Sequence, residues 1–590
     1  MIFDSLSLGR IAADLRRSAV GARVDRVFQP SREELVLELR RKMPRPQIVL
    51  SWSAEFGRAH LAAGAQPRPG ANMPIADVLR KHLRGATIVG CEQINFDRIL
   101  HITFANCVGL GPQSRATLVA EIMGRHANLV LLDEDETIIA CAKHVPARVN
   151  RYREILPNIQ YVPPPSFQRV QPRDATPEGL RKAAACLEAP VREVLHKTLM
   201  GASDLFLDEA LCRAVQAMGS GTAGGGGECT AVGLQDPGYT AAVVASMHGL
   251  IDEAEAEGPG LLYVPRRSSG ERPFAYPVAL RTHEGVPCEP APDLSAATEA
   301  AVLRLKLERD MAGRRERLRG FARRALKKAT GRENERRRAL QEAEGAEALK
   351  QKGELIIANL WAIRPGASEV TVLDYFDPEQ RQVTIALDEN YSAQENAQAW
   401  FDRTKRYRRV QERVPALLEE ARVEREYLEG ILAQIDHADT PEDLDQIEVE
   451  LDRRGHIGQQ SKRRKKPPSL GQVEPRRYQS AEGFAVLCGK TGPQNDALLR
   501  LAGGDDLWLH VKSGPGAHVL IRTGGRPDSV PQSTLRYAAA IAAANSRRRS
   551  DSRVDVNYTQ AKHVRKPPGA PPGFVTYTEF STITVAPAEV

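Results

Sequence analysis

The 590-residue chain is 42% hydrophobic and 27% charged. Its composition is that of a globular protein able to bury enough apolar surface to fold, which excludes bulk disorder, and its length allows about three to five domains. Lys and Arg outnumber Asp and Glu by 82 to 75. That excess is concentrated, because residues 301–340 hold fifteen basic and five acidic side chains and residues 451–480 hold nine and two, leaving the remainder net acidic. Charge gathered in this way suits a polyanion, whose condensed counterions are released when its phosphates are neutralised, although the same runs would serve as a solvated helix face and a solubilising tail. The eight cysteines are scattered without a CxxC pair, so zinc ribbons and a disulfide framework are both unsupported. No stretch of about 18 apolar residues is present to span a membrane. The start, MIFDSLSLGRIAADLRRS, places Asp4, Arg10 and Asp14 where a signal peptide needs an apolar run, and a reduced, cytoplasmic protein is expected.

In chain order, Leu8, Ile11, Ala12 and Leu15 recur at helical spacing and predict an amphipathic first helix. RVDRVFQP, ELVLELR, QIVLSW, ATIVGCEQINFD, RILHITF, RATLVAEIM and NLVLLD then read as strands separated by turn-forming residues. The Pro-rich stretch Tyr161 to Pro172 reads as a linker out of an α+β domain spanning 1–172. Residues 173–293 read as a helical region, and the Gly within LMGASDLFLDEALCRAV separates two short helices in the manner of a helix-hairpin-helix, a form that presents backbone amides to phosphate. GSGTAGGGGE contains G-x-G-x-x-G, but no strand precedes it, and it reads as a flexible insert. GFAVLCGKT has five residues between its Gly and GKT where a phosphate-cradling P-loop needs four.

From Leu294 to Lys352 the chain is rich in Ala, Leu, Arg, Lys and Glu and predicts a long helix. A second long segment runs from Ser392 to Arg454, interrupted at Pro415, with the strand-like TVLDYF and QVTIAL between the two. Two such helices joined by a small tip predict an antiparallel coiled-coil arm over 294–455, since their heavy charge leaves too little apolar surface for packing on several sides. Residues 456–480, including SKRRKKPPSLGQVEPRRYQ, read as a basic tether. Residues 481–590 read as a compact α/β domain with strands in GFAVLCG, DLWLHV, AHVLIR, GFVTYT and STITVAP and a helix from Ser533 to Ser546.

QNDALLRLAGGDDLWLHVKSGPGAHVLI and NYTQAKHVRKPPGAPPGFVTYTEFSTITV closely resemble the C-terminal RNA-binding domain of the NFACT family. FDSLSLGRIAADL, VDRVFQPSREELVLELR, the Asp97-Arg98 pair in NFDRIL, EIMGRHANLVLLDE, REILPNIQYVPPP, GELIIANLWAI and LDENYSAQENAQAWF follow the family's order, and the match is to its bacterial branch. The resemblance implies ribosome-associated quality control. Its members bind a large (50S) subunit, with its 23S rRNA and ribosomal proteins, while peptidyl-tRNA still obstructs it, and the bacterial branch recruits alanyl-tRNA to add C-terminal alanines without mRNA. Peptide-bond chemistry then belongs to the ribosome, so no enzyme activity and no cofactor or metal is expected, and a small RNA-binding protein is a further candidate partner. The family's N-terminal fold resembles that of bifunctional DNA glycosylases, whose N-terminal proline nucleophile and following glutamate are here Ile2 and Phe3. A DNA-repair role thus lacks its nucleophile, and a fibronectin-binding surface adhesin, as an older family name suggests, lacks a visible export signal. GKTGPQND and PGAH depart from the family's usual GRNNRQND and PGSH, which puts RNA contacts around Lys490 in question.

Read on residues alone, Arg98 beside Asp97 is either a planar donor fork for phosphate or a base edge, or a surface ion pair worth about 0–1 kcal/mol. The polar loop around Gly124 is either a display of donors or a plain hairpin turn. The resemblance implies tRNA binding by Asp97, Arg98, Glu121, Ile122, Met123, Arg125, His126 and Asn128. Trp508, His510 and Lys512 alternate on one strand face and, with His518, frame a Gly-Pro turn that could stack on bases and hold phosphate, although Trp508 suits the core better. Lys562, His563, Arg565 and Lys566 form a basic cluster expected on rRNA or tRNA phosphate.

Overall fold

A computed structural model describes residues 2–41, 43–64, 74–107, 114–165, 169–186, 189–219, 233–266, 269–457, 473–512 and 514–587. The chain divides into two compact units, Met1–Glu308 and Arg309–Val590.

In the first unit, helix α1 (Ser5–Ala19) starts where the Asp4 carboxylate accepts the Ser7 N–H at 2.9 Å, and it buries Leu8, Ile11, Ala12 and Leu15 as their spacing demands. Those residues lie on an antiparallel sheet in the order β4-β3-β2-β1-β5-β6-β7-β8-β9, built from β1 (Arg23–Ser31), β2 (Glu34–Arg40), β3 (Gln47–Ser51), β4 (Arg58–Ala62), β5 (Thr87–Gln93), β6 (Ile99–Ala105), β7 (Arg115–Glu121), β8 (Asn128–Leu132) and β9 (Ile138–Cys141). Helix α2 (Pro74–Leu83) sits between β4 and β5 in the chain; it, β4 and β9 had no clear sequence signal.

Tyr161 does not open a free linker: it is 6% exposed and donates to the Glu121 carboxylate at 2.7 Å. Residues 173–293 are not wholly helical. Helices α3 (Pro177–Cys186), α4 (Val191–Thr198), α5 (Asp204–Ala217) and α6 (Pro237–Glu255) are followed by a three-stranded sheet of β10 (Gly260–Tyr263), β11 (Phe274–Tyr276) and β12 (Cys288–Ala291). Strands of three or four residues are too short to leave a readable alternation. Leu262, Ala275, Leu294, Ala297 and Ala301 complete the core under the large sheet, so this region shares a core with residues 1–172. The glycine-rich insert, residues 220–232, lies outside the described residues.

The long helix is broken: α7 (Leu294–Ala343) stops at Gly345 and α8 (Ala346–Ala358) continues to the hairpin β13 (Glu369–Leu373) and β14 (Gln382–Ala386). Its return, α9 (Ala393–His437), opens on a Ser392/Glu395 capping box and runs straight through Pro415. The predicted interruption falls instead at Ala438–Thr440, where Thr440 caps α10 (Pro441–Arg453). Pro415 is exposed, where the helix can bend around the one bond it lacks. Within the second unit α7 and α9 run antiparallel, with Arg425 Nε 2.6 Å from Glu333 and Gln411 donating to the Ala343 carbonyl at 2.7 Å. Leu318, Ala322 and Ala329 of α7 meet Leu428, Ile431 and Ile435 of α9.

Residues 458–472 of the expected tether lie outside the described residues, but Arg476–Gln479 forms edge strand β15, with Arg476 paired to Asp439 and Asp443. The last domain is a sheet in the order β15-β16-β18-β17-β19-β22, with β16 (Ala485–Gly489), β17 (Leu507–Val511), β18 (His518–Ile521), β19 (Val554–Gln560) and β22 (Ser581–Val585). Helices α11 (Gly492–Leu501) and α12 (Gln532–Ala544) pack on it, and β20 (Val564–Arg565) pairs with β21 (Thr576–Tyr577).

Asp4 ties the first unit together, because its second oxygen accepts from Ser203 Oγ at 2.7 Å and from the Tyr276 hydroxyl at 3.0 Å. Replacing it with Ala removes a helix cap and leaves a fully buried phenol unpaired. Asp4→Ala is expected to destabilise this unit by about 2–4 kcal/mol, seen as a lowered first transition in calorimetry; an unchanged transition would refute the role.

Candidate nucleic-acid interface

The β5–β6 connection is a tight hairpin closed by hydrogen bonds from Ile94 N–H to the Ile99 carbonyl (3.0 Å) and from Asp97 N–H to the Ile94 carbonyl (2.9 Å). Asn95 and Phe96 have φ of +53° and +51°. Asn tolerates the left-handed region, whereas Phe there is strained and persists only if its surroundings hold it. The Phe96 ring packs on Phe206 of α5 at 5.8 Å, and Gly201, between α4 and α5, lies so close that a Cβ on it would meet the Phe96 carbonyl oxygen at 1.8 Å. The helix hairpin thus clamps the turn that presents Asp97 and Arg98.

Asp97 does not hold the guanidinium as the sequence suggested. Its carboxylate accepts the Arg98 backbone N–H at 2.7 Å, which shapes the turn, and the exposed Arg98 side chain has no partner among the described residues. Arg98 overlooks a cleft of about 840 Å³ also lined by Met123, Arg169, His196, Asp204 and Asp208. His196 and Asp204 are 2.7 Å apart, and burial raises the Asp208 carboxyl. The cleft therefore carries donors and acceptors together, a mixture that suits base edges better than a run of phosphates. The residues of the α4–α5 hairpin were not foreseen as sharing a cleft with Arg98, since nothing in one sequence joins positions a hundred apart.

The adjoining loop is joined to Arg98 by the Ile122 N–H, which donates to the Arg98 carbonyl at 2.8 Å. Arg125 and His126 are exposed, with Arg125 Nε 3.0 Å from His126 Nε2. Glu121, Ile122 and Asn128 are corrections to the expected tRNA contacts. Glu121 is 1% exposed and bonded to Arg153 and Tyr161; Ile122 is in the core; Asn128 is 2% exposed, with its oxygen accepting the Leu129 and Lys143 N–H groups. A carboxylate and an amide saturated inside the protein have nothing to offer RNA.

In the C-terminal domain, Trp508 is fully buried and His518 is 2% exposed, so neither can stack on a base as it stands. Their rings pack at 5.1 Å, with His510 parallel to Trp508 at 5.7 Å. Burial pushes the His510 imidazole down to about 4 and His518 well below its ordinary range, so both are neutral near pH 7 and add no charge for phosphate. Lys512, at the strand end, is exposed and without an ion-pair partner among the described residues. The basic cluster is largely paired, with Lys562 3.7 Å from Asp505, His563 3.4 Å from Glu579 and Lys566 paired to Asp496; Arg565 is the exposed member without an ion pair among the described residues.

GKTGPQND is an internal dock. Lys490 Nζ meets Asp439 at 2.6 Å, Thr491 Oγ1 donates to Gln446 at 2.6 Å, Gln494 Nε2 donates to Asp443 at 2.9 Å and the Gly492 N–H donates to Gln434 at 3.0 Å, all on α9, α10 or the link between them. Beside Gly492, the Glu450 carboxylate is 6% exposed with no well-formed hydrogen bond to either oxygen.

Among the described residues no group of three or more His, Cys, Asp or Glu side chains could hold a metal ion, and no helix is long and apolar enough to cross a membrane. Residues 4–469 match the NFACT N-terminal and middle domains and residues 475–578 match the NFACT protein RNA binding domain; the chain belongs to the NFACT family. It is 29% identical over 596 residues to "Rqc2 homolog RqcH" of Bacillus subtilis, covering 100% of this chain and 98% of that protein, and 29% identical over 597 residues to "Rqc2 homolog RqcH" of Streptococcus suis, covering 100% and 99%. "Ribosome quality control complex subunit 2" of Schizosaccharomyces pombe is 28% identical over 148 residues, 24% of this chain and 14% of that protein.

Burial pushes the Glu450 carboxyl up from near 4.5 to about 7. The folded protein therefore binds this proton more tightly than the unfolded chain, and the stabilisation is complete below about pH 4.5 and lost as pH rises through about 7. The second unit is expected to lose roughly 3 kcal/mol over that window through this group. In urea titrations at pH 5 and pH 8, Glu450→Gln should flatten the difference and stabilise the protein at pH 8; an unaltered pH dependence would count against it.

Proposed function

We propose that this protein acts in ribosome-associated quality control by binding large ribosomal subunits obstructed by peptidyl-tRNA. It recruits a tRNA, alanyl-tRNA by family resemblance, so that alanines extend the stalled chain and mark it for degradation. The ribosome supplies the peptide-bond chemistry, so the protein is a binding factor and not an enzyme, acting in the cytoplasm where ribosomes are. The observation that carries this reading is the Arg98 guanidinium, unpartnered among the described residues, on a strained, clamped turn beside a cleft of mixed donors and acceptors, in a chain of the NFACT family. The end-to-end similarity to proteins named RqcH and the C-terminal RNA binding domain support it. The concentrated charge of α7 supplies a salt-sensitive, sequence-independent hold on rRNA, and the turn a local contact to tRNA.

Because Asp97 shapes the backbone, Arg98→Ala is the cleaner variant. Loss of one charge-assisted hydrogen-bonding group costs about 1.5–3 kcal/mol, a tenfold to hundredfold loss of tRNA affinity. Subunit binding, spread over many phosphates, should survive. In pull-downs from cells, Arg98→Ala is expected to retain 23S rRNA, lose tRNA, and leave no alanine tails on a stalled reporter by mass spectrometry. Retained tRNA together with tails of normal length would contradict the assignment.

A further inference from the structure

The second unit contains a cavity of about 440 Å³ that the reading above does not use, within the range of about 300–1,000 Å³ usual for small ligands. Its lining includes Phe574 and Tyr577, Gly430 of α9 and the imidazoles of His510 and His518. The Tyr577 ring is fixed, since its hydroxyl accepts from Asn557 Nδ2 at 2.9 Å and the ring lies tilted against Trp508 with centroids 4.9 Å apart. His518 Nδ1 is buried without a hydrogen-bond partner, an arrangement costing about 1–3 kcal/mol unless something else satisfies it.

Most of the charges lining the cavity are engaged within the protein. Arg425 pairs with Glu333 and Glu429, Lys490 with Asp439, and His437 Nε2 lies 3.1 Å from the Ser546 carbonyl. Among the described lining residues, Lys512 is the one Lys or Arg without an ion pair. Lys512, which also lines the cavity, and Arg549 are exposed with no ion-pair partner among the described residues, and Arg547, 69% exposed, reaches only to 3.6 Å from the lining residue Glu429. Arg549 lies near enough to add to burial in lowering the pKa of His437 on the cavity wall. A lining with an aromatic ring, an unpaired polar nitrogen and most of its charges engaged, with Lys512 free at its edge and Arg549 nearby, is complementary to an uncharged planar ring carrying an anionic tail.

We propose that this cavity takes one unstacked nucleotide of single-stranded RNA, with the base between Tyr577 and the Gly430 face of α9 and its phosphate on Lys512 and Arg549. The proposal rests on the chain being an RNA-binding protein and adds a defined site to it. It explains how a domain whose Trp508 is sealed and whose Lys562 cluster is mostly paired can still hold RNA.

Gly430 offers a variant that fills the cavity without breaking the fold. A Cβ there meets only Pro515 Cβ, at 3.7 Å, and Leu favours a helix over Gly by about 1 kcal/mol. The full-length protein is titrated with a fluorescein-labelled single-stranded RNA hexamer, with the four nucleoside monophosphates, and with a blunt RNA duplex. Gly430→Leu should weaken hexamer binding about tenfold, the contribution of one stacked base, while Gly430→Ala stays within about twofold of wild type. Lys512→Ala with Arg549→Ala should lower affinity and flatten its salt dependence. Equal hexamer affinity for Gly430→Leu and wild type, duplex binding as strong as the hexamer's, or monophosphates binding as tightly as the hexamer would each overturn the proposal. A hexamer carrying 4-thiouridine, photocrosslinked to the unmodified protein, should label the peptide containing residues 571–577; labels confined to other peptides would also overturn it. Co-sedimentation of the same proteins with 50S subunits separates the two readings. Failure of the wild type there defeats the ribosome reading, whereas normal sedimentation of Gly430→Leu with unaltered hexamer affinity defeats the cavity alone.

Discussion

Where the β5–β6 hairpin meets the turn between α4 and α5, there is room for a hydrogen atom and nothing larger. Gly201 occupies that point with φ of +65°, and any Cβ on it would overlap the Phe96 carbonyl. This approach lets Phe206 cover Phe96, holds two consecutive residues in the left-handed region, and so fixes the direction of Arg98. Asp4 secures the same junction from below by capping α1 and receiving the Ser203 and Tyr276 hydroxyls. A flexible turn would have to order itself on every encounter with RNA, while a clamped one has met that entropy cost in folding.

The two units use charge differently. In the first, an unpaired guanidinium is set among carboxylates and an imidazole beside a cleft. In the second, a number of cations are engaged within the protein, as in Arg425 with Glu333 and Lys490 with Asp439. A total of basic residues therefore overstates the charge available to RNA, and ion pairing decides which part of it is exposed to a phosphate.

Much of the architecture was legible because it rests on periodicity. Leu8, Ile11 and Leu15 declare α1, and the charge-rich, proline-poor segments declare α7 and α9. The helix breaks were misjudged because a proline on an exposed face can be accommodated, whereas Gly345 and the Thr440 cap end helices through backbone preference and end-group hydrogen bonding. At the interface, residue type alone could not separate contact from core. Glu121, Asn128, Trp508 and His518 have the side chains of an RNA-binding surface, but their partners Arg153, Lys143 and Tyr577 come from distant strands and loops. Arg98 was singled out by family resemblance, and its freedom from Asp97 became visible only in the folded turn.

The central claim is that the protein holds a large ribosomal subunit and a tRNA at once, and it is tested most directly by sequencing the RNA that co-purifies with the protein from cells. The account predicts abundant 23S rRNA with one strongly enriched tRNA species. A pool that mirrors total cellular RNA, or one devoid of tRNA, would contradict it.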